Sequence, residues 1–275
     1  MKSFDVLLVE DDRAVQEGAF RILRGEGLSV DRTEEVGDAV AKMRNAEHRI
    51  VLSDLMLPGF SGFDLLDRVA NDRPHVPVVL ITGYATIENA LHSFERGAFD
   101  FLPKPFDVAE LLGVVRRALR ADELHSWTAL APAPAIGPRG EPLRFLGQHA
   151  WAAVEGGRAV FGVAEAFAGL LGEIRELRVH GVGEMVTQGL AFAEIATTDD
   201  AIHRVWAPLS GTVVENNSEL RANPDLLNSA PFSSGWLARV VPAALEEQLG
   251  ALTLRAESRA RTTRSNGGKE RRWSF

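Results

Sequence analysis

From Phe4 to about Asp122 the chain alternates short, nearly all-apolar runs with stretches in which apolar residues recur every three or four positions. The runs Phe4–Val9, Leu28–Val30, Ile50–Ser53, Val76–Ile81 and Phe99–Leu102 predict strands buried on both faces. Between them, Ala14–Arg24, Val36–Ala46, Gly62–Asn71, Thr86–Arg96 and Val108–Ala121 predict helices; on the last, Leu111, Val114, Val115 and Ala118 share one face. Strands alternating with helices predict an α/β unit with a parallel sheet covered on both sides.

The pattern then breaks. Ala129–Pro142 contains Pro132, Pro134, Pro138 and Pro142 among Ala and Gly, the composition of a semi-rigid linker. From Leu143 to Pro242 short β-like runs are punctuated by glycine: Ala159–Val163, Ile174–Val179, Leu190–Ile195, Val205–Ala207, Thr212–Glu215 and Trp236–Val241. Many short strands of this kind predict a small all-β sandwich or barrel. Ala243–Leu254 has helical spacing, and Arg255–Phe275 is polar, basic and predicted to be disordered. The organisation expected is therefore an α/β domain over 1–122, a Pro/Ala-rich linker over 123–142, a β domain with a C-terminal helix over 143–254, and a basic tail over 255–275.

Composition narrows the function. The net charge is −8, yet Arg255, Arg259, Arg261, Arg264, Lys269, Arg271 and Arg272 crowd the last stretch, so the body before it is more acidic still. An acidic body argues against nucleic acid as a partner, and contact through the tail alone would be non-specific. There is no cysteine, which removes disulfides, thiolate zinc sites, iron–sulfur clusters and a cysteine nucleophile, and fits a cytoplasmic address. No apolar run approaches the ~18 residues of a membrane span. Phosphate-loop, nucleophile-elbow and paired-histidine signatures of turnover enzymes are missing from the sequence.

Chemistry gathers just after the predicted strands. Glu10, Asp11 and Asp12 follow the first, Asp54 the third, Thr82 the fourth, and Lys104 with Pro105 the fifth. Open parallel sheets bind ligands beyond the carboxyl ends of their strands, so these residues are aimed at one pocket. Clustered carboxylates repel unless a divalent cation neutralises them, and a hard all-oxygen set suits Mg²⁺. Thr82 and Lys104 then offer a hydroxyl and an ammonium to phosphoryl oxygens. Asp12 equally suits the start of the following helix.

These residues carry a resemblance. Leu7-Leu8-Val9-Glu10-Asp11-Asp12, Leu52-Ser53-Asp54-Leu55-Met56-Leu57-Pro58-Gly59, Leu80-Ile81-Thr82-Gly83-Tyr84 and Phe101-Leu102-Pro103-Lys104-Pro105-Phe106 resemble the receiver domain of two-component response regulators, colinearly over Met1–Asp122. The resemblance implies a flavodoxin-like, doubly wound five-stranded sheet with Asp54 as phosphoryl acceptor. It implies Mg²⁺ on Glu10, Asp11, Asp54 and the Met56 carbonyl, phosphoryl oxygens on Thr82 and Lys104, and Phe101 as the switch aromatic. Met56 and Tyr84 flank the path of a hydrolytic water and are expected to slow loss of the phosphoryl group.

A second resemblance lies beyond the linker. His149-Ala150-Trp151, Gly162 through Ala166 to Leu171-Gly172-Glu173-Ile174, Gly183, Trp206-Ala207-Pro208-Leu209-Ser210-Gly211-Thr212-Val213, Asn223-Pro224-Asp225-Leu226-Leu227-Asn228 and Gly235-Trp236-Leu237 resemble the glycine cleavage system H protein. That family is a lipoyl carrier with a barrel-sandwich hybrid fold. Counted back from Trp206-Ala207-Pro208, its lipoyl-lysine position is Asp200, and the chain has no lysine between Lys104 and Lys269. A carboxylate cannot form the lipoyl amide, so no lipoate is expected.

Together these readings predict a phosphorelay response regulator, phosphorylated by a sensor histidine kinase or phosphotransfer protein. Its non-lipoylated output domain would bind an unidentified protein, with a homodimer through the receiver as a further expectation. The rival readings are a glycine-cleavage-related carrier and a DNA-binding regulator using the basic tail.

Overall fold

In the computed structural model the described residues are 2–83, 86–124, 137 and 140–254. The linker core and the basic tail of the sequence reading, together with Tyr84, lie outside them.

The N-terminal unit is built on five parallel strands, β1 (Lys2–Val9), β2 (Val30–Thr33), β3 (Ala46–Asp54), β4 (Val78–Thr82) and β5 (Asp100–Pro103). Their order is β2-β1-β3-β4-β5. β1 therefore pairs on both sides, and the chain reverses its direction of travel across the sheet there, which opens a crevice beyond the ends of β1 and β3. The helices α1 (Arg13–Gly25), α2 (Val36–Asn45), α3 (Gly62–Asp72), α4 (Ile87–Glu95) and α5 (Val108–Glu123) cover the sheet. Val6–Val9 and Ile50–Leu52 are wholly buried, as strands covered on both faces require. Two helix starts are closed by reciprocal capping boxes, Ser61 with Asp64 on α3 and Asp107 with Glu110 on α5.

Several strand starts depart from the sequence reading: β1 begins at Lys2 and β3 at Ala46, four residues before Ile50, because their ends pair with each other below the apolar runs. β2 begins at Val30 rather than Leu28, because Gly27 at φ +81° turns the chain, and its polar Asp31 and Arg32 are tolerated on an edge strand. β4 begins after Pro77, which has no N–H to give the ladder. A two-residue hairpin pairing Met56–Leu57 with Phe60–Ser61, turned at Gly59 (φ +77°), follows β3 and was not anticipated.

The second unit is antiparallel. Its strands are β6 (Arg144–Leu146), β7 (Ala150–Glu155), β8 (Arg158–Val163), β9 (Ile174–Val179), β10 (Met185–Val186), β11 (Ala191–Thr197), β12 (Ile202–Trp206), β13 (Gly211–Asn216), β14 (Trp236–Pro242) and β15 (Thr253–Leu254). They form a seven-stranded sheet, β10-β13-β14-β8-β7-β6-β15, and a three-stranded sheet, β9-β11-β12. The inner faces meet over Phe161 and Phe192, whose rings stack edge-on at 5.5 Å, and over Val205, Val213 and Leu237. This is the barrel-sandwich arrangement expected. The C-terminal helix is not: Ala243–Leu254 contains only one helical turn (Leu245–Gln248), a 3₁₀ turn (Leu249–Ala251) and β15. Gly250 stands in the middle of the stretch and weakens helix propagation, and Leu252 is buried in the core instead.

The two units share a core. Phe94, Ala98 and Phe101 of the first pack in one continuous buried cluster with Leu146, Phe167, Trp206 and Leu237 of the second.

Candidate functional site

The ends of β1, β3, β4 and β5 bring the predicted residues together. Glu10 and Thr82 are fully buried, Asp54 is 6% exposed, and Asp11 stands at the exposed rim. Lys104 Nζ lies 2.5 Å from Asp54 Oδ2 and 2.7 Å from Glu10 Oε2, so one ammonium bridges two carboxylates from different strands. The Lys104 backbone N–H donates to the Thr82 carbonyl at 2.7 Å, which ties the ends of β4 and β5, and the Lys104–Pro105 bond is cis. The Met56 backbone N–H donates to Asp54 Oδ1 at 2.8 Å, while the Met56 side chain is 56% exposed. Asp12 caps α1, accepting from the Ala14 and Val15 N–H groups at 2.8 and 3.2 Å.

Burial pushes the Glu10 carboxyl up to about 7; the Asp54 charge adds to this and Lys104 opposes it. Burial also disfavours the Lys104 ammonium, but its hydrogen bonds to Asp54 and Glu10 outweigh that and its pKa is raised overall. Carboxylate oxygens of Glu10, Asp11 and Asp54 all lie within 4.8 Å of one another. That donor set fits a hard divalent cation, which would also offset the mutual repulsion of the carboxylates.

Two supports escaped the sequence reading. Gln16, on the first turn of α1, donates to the Glu10 and Thr33 carbonyls at 2.8 and 3.0 Å and so fixes the loop that carries the acidic pair. Gly62 sits where a β-carbon would collide with the Asp54 carbonyl, so α3 approaches the acceptor strand only because that position is glycine. Neither has a local signal beyond an ordinary amphipathic helix and an ordinary turn.

Residues 6–116 match the family model of the response regulator receiver domain. The N-terminal unit is a receiver domain. Residues 143–265 match the glycine cleavage H-protein family, so the second unit is H-like. Among curated relatives, the DNA-binding transcriptional regulator NtrC of Salmonella typhimurium is 33% identical over 114 residues, 42% of this chain and 24% of that protein. The chain thus spans about a quarter of the length of the curated relatives it matches. A CheY-like receiver structure from Methanospirillum hungatei is 31% identical, covering 46% of this chain and 99% of that one, with a TM-score of 0.43. A glycine cleavage system H protein from Mycobacterium marinum is 24% identical over 46% of this chain and 97% of that one, with a TM-score of 0.37.

In the H-like domain Asp200 occupies the turn between β11 and β12, in left-handed backbone (φ +60°), 86% exposed at its side chain and paired with Arg175 at 2.6 Å. Its neighbour Asp199 faces the receiver, where Arg116 of α5 donates to its carbonyl at 2.6 Å and lies 3.1 Å from its carboxylate. Phe101 is 2% exposed and meets Trp206 of β12 edge-on at 6.1 Å.

Proposed function

We propose that this protein is a cytoplasmic phosphorelay response regulator whose receiver accepts a phosphoryl group on Asp54 and controls a non-lipoylated H-like output domain that works by binding another protein. The reading keeps a receiver over 1–122, a linker over 123–142, an H-like domain over 143–254 and a basic tail over 255–275. The observation that carries it is Lys104, whose ammonium spans Asp54 and Glu10 at the switch point of a parallel sheet.

In the transfer, a carboxylate oxygen of Asp54 bonds to phosphorus as the bond from phosphorus to the donor breaks. From a kinase or phosphotransfer phosphohistidine the leaving group is the imidazole, which takes up a proton; from acetyl phosphate it is acetate. Glu10, Asp11, Asp54 and the Met56 carbonyl would hold Mg²⁺, which supplies charge neutralisation at the phosphoryl oxygens. Thr82 and Lys104 hold two of those oxygens, and Lys104 balances charge that neutral side chains could not. The reaction modifies the protein itself, so no turnover of a metabolite is assigned. Phe101, on the strand that Lys104 terminates, is the switch residue.

The DNA binding in the name of the NtrC relatives belongs to proteins of which this chain matches about a quarter. The acidic body favours a protein partner instead. Incubation with acetyl phosphate and Mg²⁺, followed by mass-spectrometric site mapping, is expected to label Asp54 in the wild type and to give no label in Asp54→Ala. Equal labelling of the two would overturn the acceptor assignment.

A further inference from the structure

The H-like domain does not simply follow the receiver along the chain; it seals one face of it. Trp206 Nε1 donates to Asp100 Oδ1 at 3.0 Å, and His149 Nε2 lies 3.2 Å from the same oxygen and 3.1 Å from the Phe99 carbonyl. Asp100 also pairs with Arg117 of α5, and the Arg117 guanidinium in turn sits 4.2 Å over the ring of Phe167. Asp100, Arg117 and His149 are each at most 4% exposed, so this is a buried polar junction and not a surface contact. Around it, Arg204 pairs with Glu110, Arg116 with Asp199, and Arg120 donates to the Leu170 carbonyl at 2.7 Å.

Backbone fit matches the polar fit. Gly113 lies on α5 where a β-carbon would run into the Ile202 carbonyl of β12, so the helix and the strand touch through the missing side chain. Gly189, at φ +77°, lies close to α4: a β-carbon there would be in ordinary contact, 3.4 Å, with Ala90. A glycine in the middle of a helix is unfavourable relative to alanine, which marks Gly113 as serving the contact and not the helix.

The geometry links this face to Asp54 through a single strand. β5 begins at Asp100 and Phe101, gripped by His149 and Trp206, and runs straight into Lys104, which grips Asp54. A phosphoryl group adds roughly −1.5 to −2 charge and three acceptor oxygens at Asp54, and Lys104 must re-pair with them. β5 is too short and too tightly packed to absorb that movement without disturbing its other end.

We propose that the H-like domain clamps the receiver in cis, with Trp206, His149 and the α5–β12 contact holding β5 in its unphosphorylated arrangement, so that closure of the clamp and phosphorylation of Asp54 oppose each other. The inference rests on Asp54 being the acceptor. Coupling between two sites is reciprocal: if the phosphoryl group loosens the clamp, the clamp must disfavour the phosphoryl group by the same factor. Release would uncover β12 and the receiver-facing side of Asp199, presenting them to the output partner only in the phosphorylated chain. A homodimer through this receiver face would likewise have to displace the H-like domain first.

The test uses the full chain with acetyl phosphate and Mg²⁺, following Asp54 labelling by intact-mass spectrometry. Gly113→Ala wedges the α5–β12 contact while favouring the helix itself. It is expected to label faster than wild type by about 5-fold or more, the lower end of ordinary coupling. Asp199→Arg, at an exposed turn, sets like charges against Arg116 and keeps the test open if Gly113→Ala fails to fold. It is expected to speed labelling by about 2-fold, the scale of a partly exposed ion pair, and Arg116→Asp/Asp199→Arg is expected to return the rate toward wild type. A Gly113→Ala rate equal to wild type, or an Asp199→Arg effect that the double variant leaves in place, would overturn the clamp. Absence of label in wild type and variants alike would instead overturn the acceptor reading, and the clamp with it.

Discussion

The two domains carry their information in opposite places. The receiver's chemistry sits at strand ends, where Glu10, Asp54, Thr82 and Lys104 converge from positions up to 94 residues apart and are held by main-chain geometry. In the H-like domain the buried His149 and the Trp206 indole reach Asp100 of the receiver, and the turn that the H-protein resemblance marks as the carrier position holds two carboxylates. A domain that keeps its fold while its reactive position changes chemistry can still signal, provided another surface takes over. In the clamp we propose, that surface is the one laid against α5 and β5.

The sharpest way to break this contrast is to restore the carrier position. Asp200→Lys places a primary amine on an exposed hairpin turn, where loss of the Arg175 pair removes only a surface contact. The left-handed backbone at that position makes lysine cost about 1–2 kcal/mol more than glycine would, which the domain core can bear. Co-expressed with a lipoyl ligase and lipoate, the wild type is expected to show no lipoyl mass and Asp200→Lys a clear fraction carrying it. A lipoyl adduct on the wild type would contradict the view that this domain has left carrier chemistry.

The next effect tests whether the domains behave as one body. Burial raises the Asp100 carboxyl, but the charges of His149 and Arg117 outweigh it and hold its pKa down to about 2. Asp100→Ala strips the junction of its anion and leaves Arg117 buried beside apolar rings, a loss of about 3–5 kcal/mol for a buried pair broken on one side. Urea unfolding is expected to show that loss in a single transition reported by both domains. Two transitions, with only the receiver's moved, would mean that the shared core does not bind the domains into one cooperative unit.

How much of this could be read from the sequence follows from the range of each interaction. The receiver strands were legible in outline, and so was the convergence of Glu10, Asp54, Thr82 and Lys104, because each lies at or just after the end of a buried apolar run, a local pattern with a fixed geometric consequence. β7 was missed because Ala150, Ala152 and Ala153 give no strand preference, and only its pairing with β6 and β8 makes it a strand. The spacing of Leu245, Leu249 and Leu252 mimics a helix face, but Gly250 interrupts it and the chain makes only short turns there. The domain junction had one faint trace: Arg117 interrupts an α5 face of Gly113, Val114 and Ala121, and a guanidinium on an apolar face needs a buried partner. Its partners Asp100, 17 residues away, and Phe167 belong to other elements, so no window of sequence could name them.

The smallest expected effect concerns how long the receiver stays phosphorylated, and it sharpens the comparison by asking whether the site is tuned for a lasting signal. Hydrolysis of an acyl phosphate requires a water placed behind phosphorus, in line with the bond that breaks. Met56, two residues beyond Asp54, keeps its backbone N–H on Asp54 while its side chain is 56% exposed. An exposed thioether neither orients a water nor accepts its proton, whereas an amide at the same place would do the first. Met56→Asn leaves the backbone contact to Asp54 intact and changes only what faces the incoming water. After removal of the donor, the variant is expected to lose its phosphoryl group a few-fold faster than wild type, followed by intact mass. Decay at the wild-type rate would mean that the side chain at position 56 has no part in the lifetime.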